Sequence, residues 1–171
     1  MKNENTNYVS YLVNLAKSGR KRAYVELVEI NVKNVFTISY RLYSDIEFAK
    51  KNSIRTLLKG WDKLNELGAE ESFAVWLKKL AVRYAIDEML RSNLTNADEY
   101  KMKNNNINSN IEYLEMLINN LPLEERIIFV LHDLEGFSYE EVNIFFSNLI
   151  KDEIKSKLIR TREYLMEQLE Q

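Results

Sequence analysis

The scarcity of chain breakers is the feature that most constrains how this sequence can fold. Its 171 residues include only four glycines and one proline, whereas a many-stranded sheet needs turn residues at each of its frequent reversals. Apolar residues instead recur along most of the chain with the 3.6-residue period of an amphipathic helix. We therefore predict an all-α fold in which helices pack their apolar stripes against one another.

The periodic segments form two groups of four helices. The first group is predicted near residues 8–16, 21–42, 46–64 and 73–91, and the second near residues 111–119, 122–134, 138–146 and 153–169. Asp45 and Ser72 are suitable N-caps for two of the helices in the first group. Ser138 followed by Glu141 has the spacing of a capping box, and Gly19 is suited to end the first helix.

Between the two groups lies a polar segment that is rich in asparagine. Residues 93–110 contain seven asparagines and only scattered apolar side chains, which is typical of a linker. At about 3.3 Å per residue the segment could span roughly 60 Å. We therefore predict two small helical domains, residues 8–92 and 111–171, joined by a flexible linker at 93–110.

The composition excludes several classes of function. No cysteine is present and His132 is the only histidine, so the chain has no disulfide framework, no thiolate metal site and few groups suited to proton transfer at neutral pH. No run of about eighteen apolar residues occurs. We predict a cytoplasmic protein that is not an enzyme, needs no cofactor or metal, and does not insert into a membrane.

Basic residues concentrate on the last helix although the whole chain is nearly neutral. The formal net charge is -2, so a nucleic-acid surface would have to be a local patch. A short helix and a turn precede this basic helix, which is the outline of a helix-turn-helix. Four of its basic residues are Lys155, Lys157, Arg160 and Arg162.

At this point the sequence resembles a known family, the extracytoplasmic-function (ECF) group of bacterial sigma factors. In the first half the resemblance to region 2 is carried by Asp45-Ile46-Glu47-Phe48-Ala49, Trp61, Phe73-Ala74-Val75-Trp76-Leu77 and residues 81–91. In the second half the resemblance to region 4 is carried by Leu121-Pro122, residues 134–142 (LEGFSYEEV) and residues 154–158 (IKSKL). The order of these fragments around the linker is more specific than any one of them.

The resemblance implies an adaptor that binds RNA polymerase core and promoter DNA. The first domain would engage the melted minus-ten element, and the last helix would enter the major groove of the minus-thirty-five element. An anti-sigma factor is a further candidate partner. The DNA-binding residues that the resemblance implies are Lys78, Lys79, Arg83, Arg91, Lys151, Lys155, Lys157 and Arg160.

Three departures from the family pattern affect these expectations. Relatives carry acidic residues on the third helix, their main docking surface for polymerase, where this chain has Lys50, Lys51 and Arg55. An asparagine associated with base contact is replaced by Arg83, and the turn at residues 146–151 is one residue longer.

Four cations on the third helix follow one another at four-residue spacing, and we call Lys51, Arg55, Lys59 and Lys63 the cationic ridge. Such a row spans about 18 Å along a helix. Like charges at this spacing destabilise a helix slightly, which favours an anionic partner. The predicted partner-binding residues are Lys51, Arg55 and Lys59.

Simpler interpretations remain open for several of these features. The cationic ridge could be an ordinary solvated helix face, and Phe73 and Trp76 are predicted to be core residues rather than a stacking platform for bases. His132 is predicted to be structural. The alternative function is a degenerate sigma-like protein that regulates transcription through protein contacts, without ordinary polymerase docking.

Overall fold

The computed structural model describes residues 2–91, 110–146 and 148–170. These described residues contain eight α-helices and no strand, which confirms the all-α prediction. The chain divides into two compact units, Met1–Glu88 and Met89–Gln171, which we call the first and second units. The predicted linker at 93–110 lies outside the described residues except for its last residue, so the predicted domain limits stay a prediction.

Four helices span the first unit. They are α1 (Lys2–Lys17), α2 (Lys21–Tyr43), α3 (Ile46–Lys63) and α4 (Phe73–Arg91). Gly19 separates the first two with a φ of +89°, a conformation that glycine adopts without strain. Asp45 caps α3, because its Oδ1 accepts a hydrogen bond of 2.6 Å from the Phe48 backbone N–H.

The core of the first unit consists of large side chains from α2 and α4. Leu27, Ile38 and Leu77 are completely buried. Phe73 and Trp76 are 1% and 8% exposed, which confirms that they are core residues. Neither ring is therefore available as an open platform for unpaired bases.

The inner face of α3 is small and polar rather than aliphatic. Its buried residues are Ala49, Asn52, Ser53, Thr56 and Gly60. The Asn52 amide donates hydrogen bonds to Ser39 Oγ at 2.9 Å and to the Ala81 carbonyl at 3.1 Å. One buried side chain thus links α3 to both α2 and α4, with its donors satisfied as burial requires.

Tyr24 of α2 lies across α3 at Gly60. Its hydroxyl donates a hydrogen bond of 2.6 Å to the Leu57 carbonyl, and a Cβ at position 60 would overlap that hydroxyl. The ring packs edge-on against Trp61 and Phe73, with centroid distances of 5.3 and 6.1 Å. Burial raises the pKa of Tyr24 above its ordinary value near 10, and the negative charge of Asp62 raises it further.

The second unit contains the remaining four helices. They are α5 (Asn110–Asn120), α6 (Leu123–Phe129), α7 (Tyr139–Asn143) and α8 (Lys151–Leu169). Pro122 is the N-cap of α6, and a π-helical turn at Val130–Leu134 extends the same helix. The core is formed by Ile128, Leu131, Ile154 and Leu158, which are completely buried.

The segment before α8 differs from its predicted form. The helix predicted at 138–146 ends at Asn143, because the next amides close tight turns: Phe145 N–H bonds to the Val142 carbonyl and Phe146 N–H to the Asn143 carbonyl. These three-residue spacings end an α-helix, and they bring Phe146 into the core. α8 begins at Lys151 rather than Glu153, and Glu153 Oε2 accepts a 2.8 Å hydrogen bond from Ile150 N–H.

Candidate functional site

Lys157 of α8 is held inside the second unit by two carboxylates of α6. Its Nζ lies 2.7 Å from Glu124 Oε2 and 3.1 Å from Glu125 Oε1. The hydrogen bond with Glu124 raises the pKa of Lys157, although partial burial acts in the opposite direction. The ammonium therefore stays charged and ties α8 to the first turn of α6.

Arg162, one turn further along α8, makes a second tie of the same kind. Its Nε and one terminal nitrogen contact the two oxygens of Asp133 at 2.8 and 2.5 Å. This two-point geometry fixes the guanidinium plane, and the hydrogen bonds raise the pKa of Arg162. Asp133 belongs to the π-helical turn that extends α6. The middle of α8 is therefore connected to α6 through Lys157 and to this turn through Arg162.

The helix-turn-helix is built from α7, the following turn and α8. The predicted capping box is present: Ser138 Oγ accepts from Glu141 N–H at 3.2 Å, and Glu141 Oε2 accepts from Ser138 N–H at 3.0 Å. Lys151 at the start of α8 forms an ion pair with Glu140 of α7. The hydrogen bond from Lys151 lowers the pKa of Glu140. This ion pair spans the turn between α7 and α8.

Two further cations of α8 lie on or near its exposed side. Lys155 Nζ is 3.6 Å from Asp152 Oδ1 and 5.7 Å from the centroid of the Tyr139 ring. Arg160 is exposed, and its Nε makes only a long hydrogen bond of 3.4 Å to the Ser156 carbonyl. Of the four predicted DNA-binding residues of α8, Lys151, Lys155 and Arg160 are thus closer to solvent than Lys157.

The sole histidine has a structural environment. His132 Nδ1 lies 2.6 Å from the Phe137 carbonyl oxygen, and its ring stacks on Tyr139 with centroids 4.3 Å apart. These contacts join the π-helical turn to α7 and agree with the predicted structural role of His132.

On the cationic ridge of α3, the first two residues meet an acid of α4. Lys51 Nζ lies 3.6 Å and an Arg55 terminal nitrogen 3.2 Å from the Glu88 carboxylate. The Arg55 guanidinium also lies over the Tyr84 ring, 4.7 Å from its centroid, in the geometry of a cation–π contact. Arg55 and Glu88 are both about one third exposed, so this cluster packs α3 against α4.

The other ridge residues pair with acids close by in sequence. Lys59 Nζ is 3.5 Å from Asp62, and Lys63 Nζ is 2.8 Å from Glu66. Every member of the cationic ridge thus has a carboxylate within 4 Å. Next to these pairs, Ile54 and Leu58 are exposed to 60% and 67%, so the outer side of α3 combines ion pairs with apolar side chains.

The predicted DNA-binding residues of α4 differ in exposure. Arg83 and Arg91 are exposed, whereas Lys78 and Lys79 are half-buried. Lys79 Nζ forms a 2.8 Å ion pair with Glu71 in the loop before α4. Glu71 thus partly neutralises the charge of Lys79.

Sequence reasoning missed the acids that position these cations. Glu88, Asp133 and the role of Glu124 and Glu125 toward Lys157 emerge only from the fold, because their partners are 29 to 37 residues away along the chain. Periodicity could have placed Glu88 at the edge of the apolar stripe of α4, but not opposite Arg55.

Neither a metal site nor a membrane span is found in the part of the chain that the structure describes. No group of three or more His, Asp or Glu side chains is arranged there to hold a metal ion. Among the described helices, none is both long enough and apolar enough to cross a bilayer.

Comparison with known proteins relates these elements to a family. Residues 111–142 match the family model for sigma-70 region 4, a stretch that runs from α5 into α7. No curated protein matches the sequence. A solved structure of the sigma factor RpoE from Bartonella quintana, in complex with the anti-sigma factor NepR, is similar with a TM-score of 0.67 and 19% identity over 86% of this chain and 96% of that one.

A second solved structure has the same fold. It is CnrH in complex with the cytosolic domain of CnrY, with a TM-score of 0.65 and 17% identity over 95% of this chain and 97% of that one. Residues 111–142 of the second unit thus match sigma-70 region 4, and the chain as a whole has the fold of these two solved proteins. The region 4 match and the shared fold agree with the resemblance seen in the sequence.

The limits of the region 4 match correspond to a change in the structure. The matched residues end at Val142, directly before the turn that leads into α8. The altered turn and the whole of α8 lie beyond the matched residues. The roles of the outward-facing residues of α8 therefore have to be inferred from the structure of α8 itself.

Proposed function

We propose that this protein is a sigma factor that directs RNA polymerase core to promoters through both of its units. The region 4 match and the shared fold support a sigma-factor role. The observation that carries the proposal is the helix-turn-helix of the second unit, in which α8 is fixed by Lys157 and Arg162 while other cations remain near solvent.

The second unit is proposed to bind the minus-thirty-five element through α8. Lys151, Lys155 and Arg160 would neutralise phosphates, which supply most of the affinity of such complexes. Lys157 differs from them, because Glu124 and Glu125 already occupy its ammonium. Its proposed role is to hold the angle at which α8 approaches the groove, with a phosphate contact as its secondary role.

The first unit is proposed to engage the minus-ten element along α4. Arg83 and Arg91 are its exposed cations, and Lys78 and Lys79 are half-buried in its first half. Since Phe73 and Trp76 are buried, the support for this proposal is electrostatic. Contact with phosphates positions the DNA without reading its sequence.

The outer side of α3 is the proposed partner surface, formed by Lys51, Arg55 and Lys59. Exposed Ile54 and Leu58 lie beside these cations, and an apolar centre with a charged rim is the usual anatomy of a protein interface. This surface is also the observation that favours a second candidate function. A chain whose ridge is already paired with its own acids could act as a regulator that contacts proteins without ordinary polymerase docking.

The first experiment mixes the full chain with core polymerase and measures co-elution, followed by opening of a promoter fragment. A sigma factor is expected to co-elute and to open the promoter. Co-elution without opening would favour the regulator, and loss of both would refute the proposal. A protein fragment that competes with core polymerase for binding to this chain, and so reduces co-elution, would be identified as an anti-sigma partner.

A second experiment tests DNA binding by its dependence on salt. We expect Lys155→Ala to weaken binding to any duplex and to reduce the slope of log K against log salt by about 1. Lys33→Ala, which removes an exposed cation of α2, is the matched control and should leave the slope unchanged. A salt-independent affinity of the unmodified protein would contradict DNA binding.

The partner surface has its own variant. Changing Lys51, Arg55 and Lys59 together to Glu should abolish binding to an anionic partner surface on polymerase. The matched control changes the exposed residues Lys21, Arg22 and Lys33 of α2 to Glu, with the same change in net charge. Equal binding by both triple variants would remove the surface from the proposal.

A further inference from the structure

The solvent side of α8 has an unusual distribution of charge. The buried residues Ile154, Leu158, Thr161 and Leu165 define its inner face. With about 100° of rotation per residue, Asp152, Ser156 and Glu163 lie close to the direction opposite to this face, while Ile159 lies about 50° to one side of that direction and Arg160 about 50° to the other. All five are exposed. We call Asp152, Ser156, Ile159 and Glu163 the outer row of α8.

The four residues of the outer row are not cations, although α8 is the basic helix of the protein. Lys155 lies on one flank of the row and Arg160 borders it on the other, whereas Lys151 at the start of α8 is turned toward the inner face. Lys157 and Arg162 point to Glu124, Glu125 and Asp133 of the same unit. Positive charge at the flanks suits phosphates on both sides of a groove, and the centre is left for contact with base edges.

We propose that Asp152, Ser156 and Ile159 read base edges in the major groove, with Asp152 selecting cytosine and Ile159 selecting thymine. This inference rests on the proposed function. The first turns of a recognition helix are the ones that reach the bases, and Asp152 lies in the first turn of α8.

Asp152 has the chemistry of a cytosine reader. A carboxylate only accepts hydrogen bonds, and the N4 amino group of cytosine is a donor in the major groove. Guanine presents two acceptors there, which would repel the charge. Lys155, whose Nζ is 3.6 Å from Asp152 Oδ1, holds the carboxylate beside the flank that contacts phosphate.

Ile159 lies seven residues further along the same row. Its side chain is 53% exposed, and an apolar group in the major groove is suited to contact with the thymine methyl. Seven residues of helix span about 10 Å, or about three base pairs. Ser156 between them accepts either kind of pair, and Glu163 ends the row because its charge repels phosphates.

The test selects binding sites for the full chain, with core polymerase, from a duplex library whose minus-thirty-five region is randomised. We expect enrichment of a cytosine and a thymine about three base pairs apart. Asp152→Asn should change the preferred cytosine to adenine, because an asparagine amide pairs with the N6 and N7 of adenine. Ile159→Ala should reduce the discrimination for thymine about tenfold.

Glu163→Gln is the matched control, since it alters the same face of α8 beyond the reading positions. We expect it to keep the preferences of the unmodified protein. If the unmodified protein enriches no sequence and binds no duplex, the proposed function fails. If it enriches a sequence that Asp152→Asn and Ile159→Ala leave unchanged, the inference about the outer row is overturned while the proposed function stands. Circular dichroism of each variant checks that α8 is still formed.

Discussion

The two cation-rich helices, α3 and α8, are held in place by opposite means. α3 presents small and polar residues to the core, including Asn52 and Gly60, and its cations pair with acids of α3 itself, of the turn after it or of α4. α8 presents large aliphatic residues such as Ile154 and Leu158, and two of its cations reach across to α6 and the π-helical turn. Both helices use ion pairs to a neighbouring helix, but α3 packs through small residues such as Gly60, whereas α8 packs through large aliphatic side chains.

This difference teaches that a count of basic residues does not give the charge a surface offers to a partner. The cationic ridge contains four cations, all of which have a carboxylate within 4 Å. On α8, Lys157 is half-buried against Glu124 and Glu125, Arg162 stays exposed although it pairs with Asp133, and Arg160 is exposed. Two helices with similar numbers of Lys and Arg residues thus present different amounts of positive charge to a partner.

The largest effect is expected where α3 depends on close packing. Gly60→Ala would push a methyl group into the Tyr24 hydroxyl, and Leu77 Cδ1 is only 3.2 Å from the new Cβ. Overpacking costs about 1–3 kcal/mol and the disturbed hydrogen bond about 1 kcal/mol, while alanine regains about 1 kcal/mol of helix propensity. We expect a net loss of about 1–3 kcal/mol in the free energy of unfolding of the first unit.

Tryptophan fluorescence during urea unfolding measures this loss. The chain has two tryptophans, Trp61 and Trp76, and both belong to the first unit. Gly68→Ala is the control, because a Cβ at that position meets no atom within 4 Å. Equal midpoints for the two variants would show that Tyr24 does not hold α3 through Gly60.

The second prediction concerns the ion pairs of α8. Lys157→Ala leaves Glu124 and Glu125 next to each other without their cation, and we expect a loss of about 1–2 kcal/mol in the second unit. Lys59→Ala breaks a pair whose side chains are 58% and 60% exposed, so its cost should stay below about 0.5 kcal/mol.

Far-UV circular dichroism reports both units, whereas tryptophan fluorescence reports the first alone. We therefore expect Lys157→Ala to shift the dichroism transition and leave the fluorescence transition in place. Added salt should narrow the difference between the variant and the unmodified protein, because it screens ion pairs. A shift of the same size in both signals would contradict the assignment of this effect to the second unit.

High pH provides the third test. The pKa of Tyr24 is raised in the folded first unit, so its contribution to stability is present below the unfolded value near 10 and is lost as the pH rises toward the folded value. Tyr24→Phe should remove this part of the alkaline destabilisation, at a cost of about 1 kcal/mol near neutral pH. The check is the melting temperature from fluorescence between pH 8 and pH 11, and an identical alkaline decline in the variant would contradict the prediction.

The smallest change in stability is expected for Glu88→Gln. It weakens the contacts of α4 with Lys51 and Arg55 by less than about 0.5 kcal/mol, but it leaves both cations without a charged partner at that position. Binding to a polyanion such as heparin should therefore require more salt for elution. Glu29→Gln changes an exposed acid of α2 and is the control, and equal elution of the two variants would mean that the cationic ridge is not a binding surface.

Much of the fold follows from local rules that can be applied to the sequence. The caps at Asp45 and Ser138 use side chains within three residues of the groups they bind, and Gly19 has a positive φ angle at the expected end of the first helix. The apolar period also identified Phe73 and Trp76 as core. Each of these features depends on a short stretch of chain, which is why a single sequence could indicate it.

The candidate site was less predictable, because it depends on pairs that are distant in sequence. Lys157 belongs to the same basic cluster as Lys155, and only its contacts with Glu124 and Glu125 separate their roles. The early end of α7 follows from the burial of Phe146, which the helical period alone could not predict. In both cases the local sequence is compatible with either alternative, and tertiary packing decides which one the protein adopts.

The pairing of Lys157 with the first turn of α6 has a consequence for how such a protein can evolve. Glu124 and Glu125 lie on a different helix from the proposed base readers, yet their ion pairs with Lys157 join them to the helix that carries those readers. Natural variants at these two acids could therefore shift promoter preference gradually, while every residue of the outer row is kept. Divergence of target genes between related bacteria could begin at positions that never meet a nucleotide.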